Sequence, residues 1–109
     1  VYGDAETLPT SETICPKPVS PYGITKLSAE QLCGLYHKHF GVPVCSLRYF
    51  TVYGPRQRPD MGFHKFLKSA LQNEPIVIYG DGQQTRDFTF ISDAIAANLA
   101  AGSVPGAVG

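Results

Sequence analysis

The sequence predicts an α/β fold built on a parallel sheet, and three observations carry that prediction. Residues 22–40 have the apolar period of one long helix, which Gly41 and Pro43 stop. The next stretch, residues 42–50 (VPVCSLRYF), is mostly apolar and β-prone, as expected of a strand covered on both faces. A helix leading into a buried strand is half of a βαβ unit, and such units make parallel sheets. Further on, Phe63, Phe66, Leu67, Ala70 and Leu71 fall at i, i+3, i+4, i+7 and i+8, a second helix expected to have one buried face.

Composition sets the outer bounds. At 109 residues the chain is one domain or a piece of one. Its 43% hydrophobic content is that of a folded globule, and its formal net charge is zero. Without a basic excess it lacks the means for non-specific binding to nucleic acid or anionic membrane. No apolar run approaches the roughly 20 residues of a membrane span. Cys15, Cys33 and Cys45 are an odd set without Cys-x-x-Cys spacing, so no metal site is expected. A reduced, cytoplasmic protein fits them. The opening on Val1-Tyr2-Gly3, with no Met, reads as a cut rather than a natural start.

Taken in order, residues 1–21 are a proline-studded polar loop. Ser20 is a candidate N-cap, and Pro21 sits where a first helical turn tolerates proline. On the helix, Ile24, Leu32, Leu35 and Tyr36 form an apolar arc that continues through Ala29 and Cys33. Glu30, Gln31, His37 and Lys38 take the other side. That arc suits packing on the chain's own sheet.

Tyr22 and Lys26 stand four residues apart at the start of this helix, about 40° apart on its wheel. An ammonium held beside a phenol favours the phenolate, which makes Tyr22 a usable proton acceptor. The competing reading is a lysine that snorkels past apolar neighbours. Alone, Tyr-x-x-x-Lys is a weak signal.

In parallel sheets, ligands bind beyond the C-terminal strand ends, so the loop 51–62 is where site residues belong. There Arg56 and Arg58 lie between Gly54-Pro55 and Pro59. Two arginines on a stiff loop suit a phosphate or carboxylate, or form a solvated charged loop. His64, Lys65 and Lys68 fall on the exposed or edge side of the second helix. Ile76–Tyr79 reads as a short strand, Gly80-Asp81-Gly82 as a tight turn and residues 85–90 as a second extended segment. Arg86-Asp87, among Tyr79, Phe88 and Phe90, could serve a base and a phosphate or make a strand-edge ion pair. Residues 91–101 form an alanine-rich helix with Ile91, Ile95 and Leu99 inward, and residues 102–109 a closing loop.

Four separated strings now agree. Val1-Tyr2-Gly3, Ser20-Pro21-Tyr22-Gly23 with Lys26, residues 47–55 (LRYFTVYGP), and Tyr79-Gly80-Asp81-Gly82 with Thr85-Arg86-Asp87-Phe88 resemble the extended short-chain dehydrogenase/reductases. Within them they resemble the NAD-dependent nucleotide-sugar epimerases and dehydratases, across nearly the whole chain. The resemblance implies the C-terminal part of a Rossmann-type doubly wound parallel sheet, with part of a small substrate-binding domain. Residues 1–55 would complete the NAD-binding domain, and residues 56–109 would be the substrate-binding part with a return helix.

The resemblance also implies roles. Tyr22 matches the catalytic tyrosine, and Lys26 the lysine that binds the nicotinamide ribose and favours tyrosinate. Tyr49 and Phe50 match the strand end lying against the nicotinamide. Arg86 matches the arginine that clamps the nucleotide-sugar diphosphate, and Tyr79 lies in the segment that meets the base. Thr51 stands where galactose-type epimerases have asparagine. The run Thr51 to Met61 looks more like the branch acting on UDP-glucuronate, with Thr51, Arg58 and Lys65 as candidates for the sugar carboxylate. The implied activity is NAD-dependent 4-epimerisation of a UDP-sugar through a 4-keto intermediate, in a homodimer or other self-association.

The glycine-rich dinucleotide loop does not occur in these 109 residues, and the family's catalytic Ser/Thr would lie before Val1. The isolated chain is therefore expected to be catalytically silent. The alternatives are a 4,6-dehydratase or decarboxylase of the same family and, from another class, a non-catalytic binding or self-associating fragment. Thr-Asp-Glu directly before Val-Tyr-Gly would mark a dehydratase.

Overall fold

The computed structural model describes residues 1–4 and 7–108, which divide into two compact units: Val1–Ser46 with Pro105–Gly109, and Leu47–Val104. In the first unit an extended loop leads into helix α1, Pro21–Phe40. Both ends of α1 obey its sequence. Ser20 is extended, and its Oγ accepts the Gly23 amide at 3.0 Å, satisfying one of the orphan donors of the first turn. Gly41 closes the helix in the left-handed region (φ 68°), a conformation that costs a Cβ-bearing residue more, and its amide donates to the His37 carbonyl at 2.9 Å. His37, Lys38 and His39 crowd the last turn, where positive charge suits the helix dipole. The apolar arc is exposed: Ile24, Leu32, Leu35 and Tyr36 are each about half accessible. The closing residues form a short 3₁₀ turn, Pro105–Ala107.

The second unit holds two strands and two helices. Strands β1 (Thr51–Tyr53) and β2 (Phe88–Phe90) pair in parallel, with Thr51 opposite Phe88, Val52 opposite Thr89 and Tyr53 opposite Phe90. Helix α2 (Gly62–Gln72) follows the loop after β1, and helix α3 (Ile91–Ser103) starts directly after β2. Tyr53, Phe63, Phe88 and Phe90 bring their rings together, Phe63 and Phe88 at 4.6 Å and Tyr53 and Phe90 at 5.3 Å. This cluster ties α2 to the strand pair.

Five expectations need correction. Residues 42–50 form no strand; only the three residues after them do. A β-prone sequence becomes a strand only beside a ladder partner, and β2 pairs with 51–53 alone. Ile76–Tyr79 is likewise irregular, with all four side chains exposed, and only residues 88–90 of the extended segment 85–90 are strand. On α2, Phe63 is half-buried, whereas Leu67 and Leu71 are exposed. On α3, Ile95 and Leu99 are exposed, while Ala94 is buried and Ile91, Ala97 and Ala101 are half-buried.

Gly54 marks a close approach to α3. Its φ is 149°, and a Cβ there would lie 2.5 Å from Ile91 Cγ2 and 3.1 Å from Ile91 Cβ. Gly54→Ala therefore combines backbone strain with overpacking, each costing on the order of 1–3 kcal/mol. Thermal unfolding is expected to show a loss within or above that range, whereas Gly102→Ala, at a position open on every side, leaves the midpoint unchanged or raised.

Candidate functional site

The chemistry-bearing residues fall into two groups, one in each unit. In the first, α1 holds Tyr22 and Lys26 on one face. The Lys26 Nζ lies 5.3 Å from the Tyr22 ring centroid, and Tyr22 is 71% exposed. The pair is adjacent because a helix stacks i and i+4. It is anchored because Ser20 caps the turn that carries Tyr22. A phenol and an ammonium presented together to solvent are donors and acceptors suited to a polyol such as a ribose or a sugar.

In the second unit, a cavity of about 540 Å³ lies between β1, the start of α2 and the 78–88 segment. Its wall includes Thr51, Phe63, Phe66, Tyr79, Arg86 and Phe88. Three sequence-predicted residues, Thr51, Tyr79 and Arg86, thus converge from positions far apart in the chain. The strand register causes this: Thr51 sits opposite Phe88, and the Thr51 amide donates to the Asp87 carbonyl at 3.2 Å. The Arg86 guanidinium donates from Nη1 to the Thr85 carbonyl at 2.7 Å. Aromatic rings with a guanidinium among them can stack a planar ring and hold an anion by charge-assisted hydrogen bonds.

Arg58 and Lys65 are not part of this wall. Arg58 pairs with Asp60 (Nη2 to Oδ2, 2.9 Å), both side chains well exposed. The same Nη2 lies 3.8 Å from Met61 Sδ, and Met61 does line the cavity. Lys65 is exposed on the first turn of α2. Arg56 has a positive φ of 67° and lines a separate concavity of about 520 Å³ with His64, Leu67 and Phe90. The Tyr49 hydroxyl donates to the Ala94 carbonyl at 3.0 Å and accepts from Asn98 Nδ2 at 2.9 Å, so it is turned to α3. Phe50 is 53% exposed beside it in sequence.

Sequence reasoning missed three glue residues. Gln57 Nε2 donates to the Val52 carbonyl at 3.2 Å, tying the 54–61 loop to β1. Gln84 Nε2 donates to the Tyr79 carbonyl at 2.8 Å across the Gly80–Gly82 turn, and both glutamines line the cavity. Asn98 bridges Tyr49 and α3. Lone amides carry no periodic signal; the position of Gln84 five residues after Tyr79, across a Gly-Asp-Gly turn, was the one available hint.

Residues 1–107 match the profile of the NAD dependent epimerase/dehydratase family. The chain belongs to that family. Among the family's curated members it is 56% identical, over 95 residues, to an uncharacterized UDP-glucose epimerase, YtcB, of Bacillus subtilis, covering 87% of this chain and 30% of that protein. It is 48% identical, over 83 residues, to the UDP-glucuronate 4-epimerase of Thermodesulfobacterium geofontis, covering 76% and 26%. Among solved structures it resembles the UDP-glucuronic acid 4-epimerase of Bacillus cereus in complex with UDP-glucuronic acid and NAD. The TM-score is 0.90 at 54% identity, covering 99% of this chain and 34% of that one. The chain thus spans about a third of the length of these relatives, and its fold is a part of their Rossmann-type α/β fold.

One consequence concerns Tyr49. Removing its hydroxyl deletes two hydrogen bonds, one to the Ala94 carbonyl and one from Asn98, but Asn98 Nδ2 still donates to the Ala94 carbonyl at 2.7 Å. Tyr49→Phe is expected to cost about 0.5–1.5 kcal/mol in chemical denaturation, and Asn98→Ala at least as much because it removes both amide bonds.

Proposed function

We infer that this chain is part of an NAD-dependent UDP-sugar 4-epimerase acting on UDP-glucuronate or UDP-glucose. The observation that carries the reading is the convergence of Thr51, Tyr79 and Arg86 on one aromatic-walled cavity. It is supported by the Tyr22–Lys26 pair on α1 and by the relatives' substrates. In this reading residues 1–55 belong to the NAD-binding domain, and residues 56–109 to the substrate-binding part.

The donor set of Tyr22 and Lys26 fits a nicotinamide ribose and a sugar hydroxyl. NAD, when bound, supplies the acceptor and donor of hydride. Lys26 holds the ribose beside Tyr22. Tyr22 Oη accepts the proton of the sugar's 4-hydroxyl as that carbon is oxidised to a ketone. After the 4-keto sugar turns over, Tyr22 returns the proton to the new hydroxyl, so the residue ends as it began. Tyr49 and Phe50 border the nicotinamide. Arg86 holds the diphosphate, and Tyr79 meets the base. Thr51, Arg58 and Lys65 face the sugar's C5 substituent, where a cation opposite a carboxylate favours the acidic sugar. The apolar arc of α1 is assigned to pairing with a second subunit.

Turnover by the intact protein tests the reading. Epimerisation of UDP-glucuronate is expected, and Tyr22→Phe should lower kcat by about 10²–10⁴-fold with the substrate affinity retained. Arg86→Ala should weaken UDP binding by roughly 10–150-fold, the worth of hydrogen bonds to a charged group. Turnover of UDP-glucose with UDP-glucuronate ignored would remove the acidic-sugar assignment. A 4-keto-6-deoxy product would make the protein a dehydratase.

A further inference from the structure

Arg58 already has a carboxylate. We propose that Asp60 is a built-in competitor for the Arg58 guanidinium and so sets how strongly the site prefers an acidic over a neutral sugar. The inference rests on the proposed reading, in which Arg58 meets the sugar carboxylate.

The loop geometry supports an exchange of partners by the side chain alone. The backbone around Arg58 is fixed by the Gln57 amide donating to the Gly54 carbonyl at 3.2 Å and the Met61 amide donating to the Arg58 carbonyl at 3.1 Å. Gln57 Nε2 ties the same loop to β1, and Pro55 and Pro59 stiffen it. The Arg58 side chain, in contrast, is 74% exposed and that of Asp60 63%. An ion pair so open to water is weak, easily broken by a better-placed carboxylate. The guanidinium stands at the cavity's rim through its contact with Met61. It can therefore leave Asp60 without any movement of the main chain. Asp60 lowers the gain from binding an acidic sugar by the strength of the pair that must first break. A neutral sugar does not draw on Arg58 and is indifferent to Asp60.

The test measures KM and binding for UDP-glucuronate and UDP-glucose with the NAD-loaded intact protein and its Asp60→Asn, Asp60→Glu, Arg58→Ala and Arg58→Ala/Asp60→Asn variants. Asp60→Asn should tighten UDP-glucuronate about two- to fivefold, in line with an exposed pair, and leave UDP-glucose unchanged. Asp60→Glu should stay close to the parent, and the asparagine should have no effect once Arg58 is alanine. Weaker binding of UDP-glucuronate by Asp60→Asn would overturn the inference, because Asp60 would then orient Arg58 instead of competing for it. An equal gain for both sugars, or a gain that persists without Arg58, would overturn it too. If the parent binds UDP-glucuronate and Asp60→Asn changes nothing, only the inference fails. If the parent does not bind it, the acidic-sugar reading fails and the inference with it.

Discussion

The pairing of β1 with β2 is the constraint on which the second unit depends. Three residues on each strand make a ladder that would be marginal alone, since an isolated two-stranded sheet has little stability in water. What holds it is the aromatic cluster across it. Ring pairs such as Phe63–Phe88 and Tyr53–Phe90 contribute roughly 0.5–1.5 kcal/mol each beyond their buried area. Each ladder hydrogen bond contributes about 1 kcal/mol. Side-chain packing and ladder are therefore comparable terms, and loss of either loosens the same register. That register sets Thr51 opposite Phe88 and brings the 79–87 segment against the start of α2, which creates the cavity.

Helices were legible in the sequence because their signals are local. Ser20, Pro21 and Gly41 specify the ends of α1 through bonds that reach no more than four residues. Strands were not. The run 42–50 is β-prone with or without a partner, and a partner is a property of the whole assembly. The face of α3 was misread for a related reason. Hydrophobic size points to Ile95 and Leu99, yet the face that is covered depends on what the fold sets beside it, and there Ala94 is the buried side chain. Thr51, Tyr79 and Arg86 were found through ordered motif strings, with no help from periodicity. Gln57, Gln84 and Asn98 had neither signal, since each acts on a carbonyl whose position only the fold determines.

The two groups of site residues rest on different kinds of support. Tyr22 and Lys26 stand on a capped helix, where backbone geometry fixes their spacing. Thr51 stands on a strand, and Tyr79 and Arg86 on the irregular segment before β2, held by the Gln84 bridge and the Thr85 carbonyl. A proton acceptor must be held to within a fraction of an ångström of its target to be useful. Groups that recognise a flexible, multiply charged ligand tolerate more freedom and gain from adapting to it. That division between helix-borne and loop-borne residues matches the roles proposed for them.

Burial sharpens this point. Among the described residues Ala94 is the one buried hydrophobic side chain, while Leu32, Ile78 and Leu99 are more than half exposed. Apolar area that is not removed from water contributes none of the roughly 25 cal/mol per Å² that drives most folding. The order in these units must then come from caps, turns and ring contacts, each local and each worth about 1 kcal/mol. Covering the exposed apolar residues would add global stability, but it would not change what fixes Tyr22 beside Lys26 or Thr51 beside Phe88. Those placements are set by the i, i+4 geometry of α1 and the β1–β2 register. A substitution that covers or exposes Leu32 should therefore alter how long the site survives, whereas one that shifts the register alters what the site is.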